Sequence, residues 1–272
     1  MRLYDTLYRF SASLHTADAL WFFACAHDDS HTRSAVGRHR LGNAAAMITL
    51  NKLITGYPGH PLTCPLNGTF RAGSPTAIVG VNGCGKSTLL KTLAGLLPPA
   101  GGSFTFSEKN PLIGWLAQQS ELDHHFPLTV GDVVAMGAWP ATGLASGLCG
   151  EALSRTEAAL EQVGISALRH HSLNRLSGGQ FQRMLFARLL VQDAPLMLMD
   201  EPFTGIDSQT SEALLDVMTA LSAQGKTLLA VLHNQQMVHR YFPNTLWLHQ
   251  GRYHWGETAT VLPLLACPQP QE

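Results

Sequence analysis

The sequence predicts an α/β domain built on a largely parallel sheet and interrupted by a helical insertion, and three observations carry that prediction. A strand-like run, Thr76-Ala77-Ile78-Val79-Gly80, leads directly into a glycine-rich loop and then into a stretch with helical spacing. Two further runs, Leu196–Met199 and Thr227–Leu232, are apolar without alternation, as suits strands buried on both faces of a parallel sheet. Between them, residues from about 120 to 175 carry helical rather than strand patterning.

The gross numbers set the limits. A chain of 272 residues with 45% hydrophobic and 14% charged residues is globular and long enough for a sizeable core. A formal net charge of -1 gives no basic field for nucleic acid. The longest apolar candidate, Ala19 to Ala26, falls well short of the roughly 18 residues that span a bilayer. Cys25, Cys64, Cys84, Cys149 and Cys267 are scattered with no C-x-x-C pair, which fits a reducing compartment better than a disulfide framework or a zinc site.

Taken in order, residues 1–46 lack a sustained period. Arg2 and Arg9 ahead of Leu20-Trp21-Phe22-Phe23 faintly imitate a signal peptide, but this stretch reads better as a disordered extension or a mis-assigned start, with Met47 as the working one. From Met47-Ile48-Thr49-Leu50 onward the pattern is regular and strand-like. The glycine loop is followed by helical Ser87 to Ala94, which ends near Gly95 and Pro98. In the insertion, Thr129–Val134 and Glu151–Val163 read as helices and 137–150 as a loop. The proline-bearing tail after Leu262 reads as unstructured.

The chemistry begins at Gly80-Val81-Asn82-Gly83-Cys84-Gly85-Lys86-Ser87-Thr88, a full match to the phosphate-binding pattern G-x-x-x-x-G-K-[ST]. Its backbone N–H groups suit a β-phosphate, Lys86 suits β/γ charge, Ser87 suits Mg²⁺, and Thr88 adds a phosphate hydrogen bond. Leu196–Met199 ends in Asp200-Glu201, which puts two carboxylates at the carboxyl edge of the sheet. There Asp200 would hold the Mg²⁺ shell and Glu201 would orient or deprotonate a water. His233 ends the strand Leu228–Leu232 on the same edge, within reach of a γ-phosphate. Gln118, after strand-like Ile113–Ala117, could touch Mg²⁺ or the attacking water and act as a hinge. Tyr57 either stacks on adenine or is an ordinary tyrosine in a Gly-Tyr-Pro turn. Cys84, near a helix N-terminus, is expected to have a lowered pKa, so alkylation should block hydrolysis. The pairs His124-His125 and His170-His171 have no third ligand at zinc-like spacing and read as surface residues.

A second glycine-rich cradle, Leu176-Ser177-Gly178-Gly179-Gln180, has a helix-capping serine and open backbone N–H groups but no lysine. It reads as a helper to a phosphate site.

Together these residues resemble the ATP-binding subunit of ATP-binding cassette (ABC) transporters over about residues 47–262. Gly80–Ser87 is similar to the Walker A motif, Leu196–Asp200 with Glu201 to Walker B, and Leu176–Gln180 to the family signature. Gln118 falls at the Q-loop, Gly205-Ile206-Asp207 at the D-loop, His233 at the switch histidine and Tyr57 at the aromatic A-loop. The resemblance implies a phosphate-loop (RecA-like) core with a mixed sheet flanked by helices, an antiparallel β subdomain, a helical subdomain over about 119–176 and a tail over 263–272. It implies ATP and Mg²⁺ as cofactors, with Ser87, Gln118 and Asp200 at the metal, and Glu201, His233 and Gln118 in catalysis. Nucleotide contacts would come from Tyr57, the loop 80–88, Ser177, Gly178, Gly179, Gln180 and Asp207. It further implies a head-to-tail homodimer in which the signature residues serve the partner's nucleotide. The dimer would be peripheral on the cytoplasmic face of the inner membrane, bound to permease subunits and, through them, to a periplasmic or extracellular solute-binding protein. Nucleic acid has no place in it.

A narrower likeness to the zinc/manganese importer branch rests on Ile113–Ser120, Phe126–Gly137, Gly179–Arg183 and Glu201–Asp207. Heme, siderophore and cobalamin importers have similar ATPases. A soluble repair or translation ATPase of the family would carry a long coiled-coil insertion or two cassettes, and a nucleotide kinase would lack residues 176–180. Cys84 stands where the family commonly has alanine, and Asn234 where it frequently has aspartate.

Overall fold

The computed structural model describes residues 45–118, 127–142, 150–249 and 251–266. The extension expected over 1–46 lies outside the described residues except for its last two positions, as do His124, His125, residues 143–149 and the end of the tail.

The central sheet has the order β11-β10-β5-β9-β8-β7. Its strands are β5 (Pro75–Gly80), β7 (Ile113–Leu116), β8 (Leu196–Asp200), β9 (Thr227–Val231), β10 (Asn244–His249) and β11 (Arg252–Glu257). All pairs are parallel except β10 with β11, so the sheet is mixed. The alternation expected of a pleated strand divides two cores cleanly. Ala77, Val79, Met197, Met199, Leu228 and Ala230 face one core, while Ile78, Leu196, Leu198, Leu229 and Val231 face the other. Each fully buried leucine or isoleucine here contributes roughly 1.5–3 kcal/mol relative to exposure.

A separate antiparallel sheet, β4-β1-β6, joins β1 (Ala46–Ile54), β4 (Leu66–Arg71) and β6 (Gly101–Phe106). It shares the second core, through Ile48, Leu50 and Phe70, with α1 (Lys86–Leu93). Tyr253 on β11 stitches the two sheets together: its hydroxyl donates to the Asn67 carbonyl and accepts from the Asn67 N–H, each at 3.2 Å. A short hairpin, β2 (Gly56–Tyr57) with β3 (His60–Pro61), leads into β4.

On the other face, α2 (Val130–Ala135), α3 (Trp139–Thr142) and α4 (Gly150–Gln162) form the helical insertion, followed by α5 (Gly178–Gln192). Thr129 starts α2 with a capping box in which Thr129 and Asp132 satisfy each other's backbone N–H. Helices α6 (Ser208–Ala223), α7 (Gln235–Tyr241) and α8 (Thr258–Ala266) complete the chain.

Two expectations are corrected. Residues 137–142 are helical rather than loop, because the chain after Met136 tightens into a 3₁₀ turn whose Gly137 and Ala138 are buried against the core. The chain also stays ordered past Leu262. Val261, 3% exposed, anchors α8, and Pro263 is accommodated inside it at the cost of one backbone bond.

Candidate functional site

Parallel register brings the site together. Leu116 pairs with Met199, so Gln118 and Glu201 lie level two residues beyond. Asp200 pairs with Val231 and Ile78 with Val231, which sets His233 and Gly80 on the same carboxyl edge. Residues far apart in sequence therefore meet at the mouth of a cavity of about 540 Å³ lined by Leu62, the phosphate loop, Gln118, Glu201 and His233.

The loop itself is built on glycine. Gly80 has φ 153, and a Cβ there would fall 2.2 Å from the Leu248 carbonyl oxygen. Gly85, at φ 95, caps α1 and lies against Leu62 and Thr63. Lys86 is nearly buried, and its ammonium donates to the carbonyls of Gly80 and Val81, both at 2.9 Å. An ammonium has three donors, so one remains for a phosphate oxygen.

Ser87 Oγ donates to Asp200 Oδ1 at 3.0 Å, and Asp200 is 1% exposed. One hydroxyl and one carboxylate beside a phosphate cradle fit Mg²⁺, which is usually held by one or two carboxylates, substrate phosphates and water. Among the described residues no group of three or more His, Cys, Asp or Glu side chains could form a protein-only cage.

Glu201 is the hub. Gln118 Nε2 donates to its Oε2 at 3.0 Å, the Thr204 hydroxyl donates to the same oxygen at 3.2 Å, and His233 Nε2 lies 2.8 Å from Oε1. Burial raises the Glu201 carboxyl, but the hydrogen bond and charge of His233, the Thr204 hydroxyl and the Lys86 charge outweigh it and hold the pKa below the ordinary carboxylate value. The glutamate is therefore ionised at neutral pH and already oriented by donors, as a base or water-orienting group requires.

The second cradle lies elsewhere. Ser177 caps α5: its hydroxyl accepts from Gln180 N–H at 3.3 Å, and Gln180 Oε1 accepts from Ser177 N–H at 3.0 Å. None of Ser177, Gly178, Gly179 and Gln180 lines the cavity. Asp207, another expected nucleotide contact, caps α6 through Thr210, and the bonds from Thr210 hold its carboxyl below the ordinary value. The segment before it touches the cradle, since a Cβ on Gly179 would meet Ile206 Cγ2 at 3.3 Å.

The family model for ABC transporters matches residues 64–204, which is more than half of the chain. The zinc transport system ATP-binding protein TroB of Treponema pallidum is 39% identical over 75% of this chain and 79% of its own. The chain belongs to the ABC transporter family. It is an ATPase of that family, with the nucleotide-binding cassette as its fold. The manganese transport system ATP-binding protein MntB of Bacillus subtilis is 34% identical over 79% of this chain and 88% of its own. An inward-facing metal-chelate type ABC transporter matches with a TM-score of 0.72 at 27% identity, covering 80% of this chain and 86% of that one. No helix among the described residues of the ATPase is long and apolar enough to cross a membrane.

In family terms, residues of the Walker A loop, the glutamate of the Walker B pair, the Q-loop glutamine and the switch histidine line one cavity, with Asp200 bonded to Ser87 behind it. Tyr57 is half exposed on its hairpin and Val81 is half exposed in the loop, and neither lines that cavity. Asn234, which departs from the family's aspartate, caps α7 by accepting from the N–H groups of Gln236 and Met237. An asparagine oxygen does this as well as a carboxylate.

The lowered thiol pKa expected for Cys84 is overturned. Burial pushes its thiol above the ordinary value, and the Lys86 charge and nearby backbone N–H groups pull back only in part. The thiol packs over Gly80, where its sulfur would lie 2.8 Å from a Cβ, and against the second core, so burial outweighs the N–H groups at the helix start. Sequence reasoning also passed over Thr204 and Leu62. Thr204 carried a signal, being three residues beyond Glu201 in a turn; Leu62 carried none.

Proposed function

We propose that this ATPase drives a metal-ion importer, with zinc or manganese as cargo, and works as a head-to-tail pair on the cytoplasmic face of the membrane against permease subunits. The observation that supports the pairing is the separation of the two cradles. Gln118, Glu201 and His233 gather at one rim of the Walker A cavity, while none of Ser177, Gly178, Gly179 and Gln180 at the capped start of α5 lines it. A second copy turned end for end would bring its Ser177, Gly178 and Gly179 over the uncovered γ-phosphate.

In that arrangement the loop N–H groups and Lys86 would hold the β- and γ-phosphates, and Ser87 with Asp200 would hold the metal. Mg²⁺, when bound, neutralises charge on the phosphate oxygens. Glu201 accepts a proton from, or orients, the attacking water, and His233 faces the γ-phosphate beside it. Gln118 ties this carboxylate to the segment that enters the helical insertion, so hydrolysis at Glu201 is felt where the permease would dock. Tyr57, on its exposed hairpin, is free to stack on adenine. The cassette spans about 46–266, with residues 119–176 as its helical subdomain.

The metal cargo is supported by the similarity to TroB and MntB. A second reading, import of a metal chelate, is favoured by the likeness to the metal-chelate transporter. Uptake separates them. A host strain lacking this chain should lose uptake of radiolabelled zinc or manganese and regain it with the wild-type chain but not with Glu201→Gln. Unchanged uptake of both free ions, with loss of chelated metal, would overturn the first reading in favour of the second.

A further inference from the structure

Gln182 is out of place for a helix designed only for stability. It lies on α5 with buried Phe181, Leu185 and Phe186 and is itself 0% exposed. Its Nε2 donates to the Pro202 carbonyl at 2.9 Å, while its Oε1 finds no partner among the described residues. A buried acceptor left unfilled is costly, and methionine or leucine would fill the site without that cost.

What the amide holds is the turn that carries Glu201. Glu201 has φ 50, in the left-handed region that a non-glycine residue rarely adopts. It also precedes a proline, which pushes a residue toward extended backbone. Two bonds secure the turn: Thr204 N–H donates to the Glu201 carbonyl at 3.2 Å, and Gln182 donates to the next carbonyl along. In this turn the carboxylate reaches Gln118 and His233 together. We propose that Gln182 is a positioning residue for hydrolysis, whose amide fixes the Pro202 carbonyl and so aims Glu201. The inference rests on the proposed role of Glu201 and deepens it. The helix that begins with Ser177 and would cover the partner's nucleotide is fastened, little more than a turn later, to the residue serving this protomer's own.

Gln182→Met keeps the volume and removes the donor. In the full chain it should lower kcat at least about ten-fold while KM for ATP stays within about two-fold, because binding groups are untouched and only the aim of Glu201 is lost. Its thermal midpoint should not fall. Should Q182M fail to fold, Gln182→Leu, which likewise carries no donor, should give the same split. In a Glu201→Gln background, Q182M should slow single-turnover hydrolysis by less than about two-fold further, and the ATP-dependent dimer should persist. A wild-type kcat for Q182M, a full multiplicative loss in the double variant, or disappearance of that dimer would each overturn the proposal alone. If Glu201→Gln by itself neither slows hydrolysis nor yields a dimer, the reading of Glu201 falls, and this inference with it.

Discussion

His233 Nε2 lies 2.8 Å from Glu201 Oε1, joining the ends of two neighbouring parallel strands at the mouth of the Walker A cavity. Gln118 and Thr204 bond the other carboxylate oxygen, so both oxygens of Glu201 are oriented by side chains of this chain.

The pH dependence follows from that pair. Glu201 has its pKa lowered below the ordinary value of 4.5, with burial opposing and His233, Thr204 and Lys86 prevailing. A depressed carboxylate pKa contributes stability that is fully present above the unfolded value and is lost as pH falls through the folded one. The difference in unfolding free energy between wild type and Glu201→Gln should therefore be flat from neutral pH down to about 5 and shrink below the carboxylate range. Denaturant titrations at a series of pH values check this; a difference that shrinks already between pH 7 and 6 would show that Glu201 is not the titrating group.

Gly80 tests the loop's backbone. Gly80→Ala places a Cβ 2.2 Å from the Leu248 carbonyl oxygen at φ 153. The chain should lose roughly 1–3 kcal/mol of stability from overpacking and backbone strain. ATP binding should weaken in parallel, since the same residue sets the Lys86 cradle. Urea unfolding together with nucleotide titration measures both, and a variant as stable as wild type would contradict the geometry.

Cys84 should be a slow nucleophile. With its thiol above the ordinary value, it holds less thiolate at pH 7 than a free cysteine. Maleimide labelling of Cys84, followed by mass spectrometry, should be slower than that of free glutathione, and faster when the pH is raised. Cys84→Ala should hydrolyse ATP within about two-fold of wild type, because burial rather than phosphate contact governs this side chain.

Ser177 separates a structural from a trans role. Aspartate caps helices as well as serine, so Ser177→Asp should leave unfolding stability within about 0.5 kcal/mol. It also places a negative charge where the partner's γ-phosphate is proposed to sit, and steady-state hydrolysis should fall roughly 100-fold. Unaltered hydrolysis with an intact helix would remove the signature from the reaction.

Much of this was legible in the sequence, for physical reasons that also explain the gaps. The strands β5, β8 and β9 are buried on both faces and therefore read as unbroken apolar runs, and the loop between β5 and α1 must contain glycine, lysine and hydroxyl residues to cradle phosphate. The hairpin of β10 and β11 escaped notice because β11, Arg252–Glu257, sits at a sheet edge with polar residues exposed and gives no continuous run. The helix over Thr258–Ala266 was obscured by Pro263, whose breaking effect is outweighed by the packing of Val261. Gln182 left a trace: it falls four residues before Phe186 and three before Leu185, on the buried stripe of α5, where an amide is an anomaly. The corrected Cys84 shows the opposite limit, since proximity to a helix start is visible in sequence and burial of the sulfur is not.

The central claim is that one chain holds an incomplete site which a second copy closes. Sedimentation velocity of Glu201→Gln with saturating Mg-ATP tests it most directly, against the same variant carrying Ser177→Arg. The account predicts a dimer with ATP for the first protein and a monomer for the second; a Glu201→Gln chain that stays monomeric at saturating ATP would contradict it.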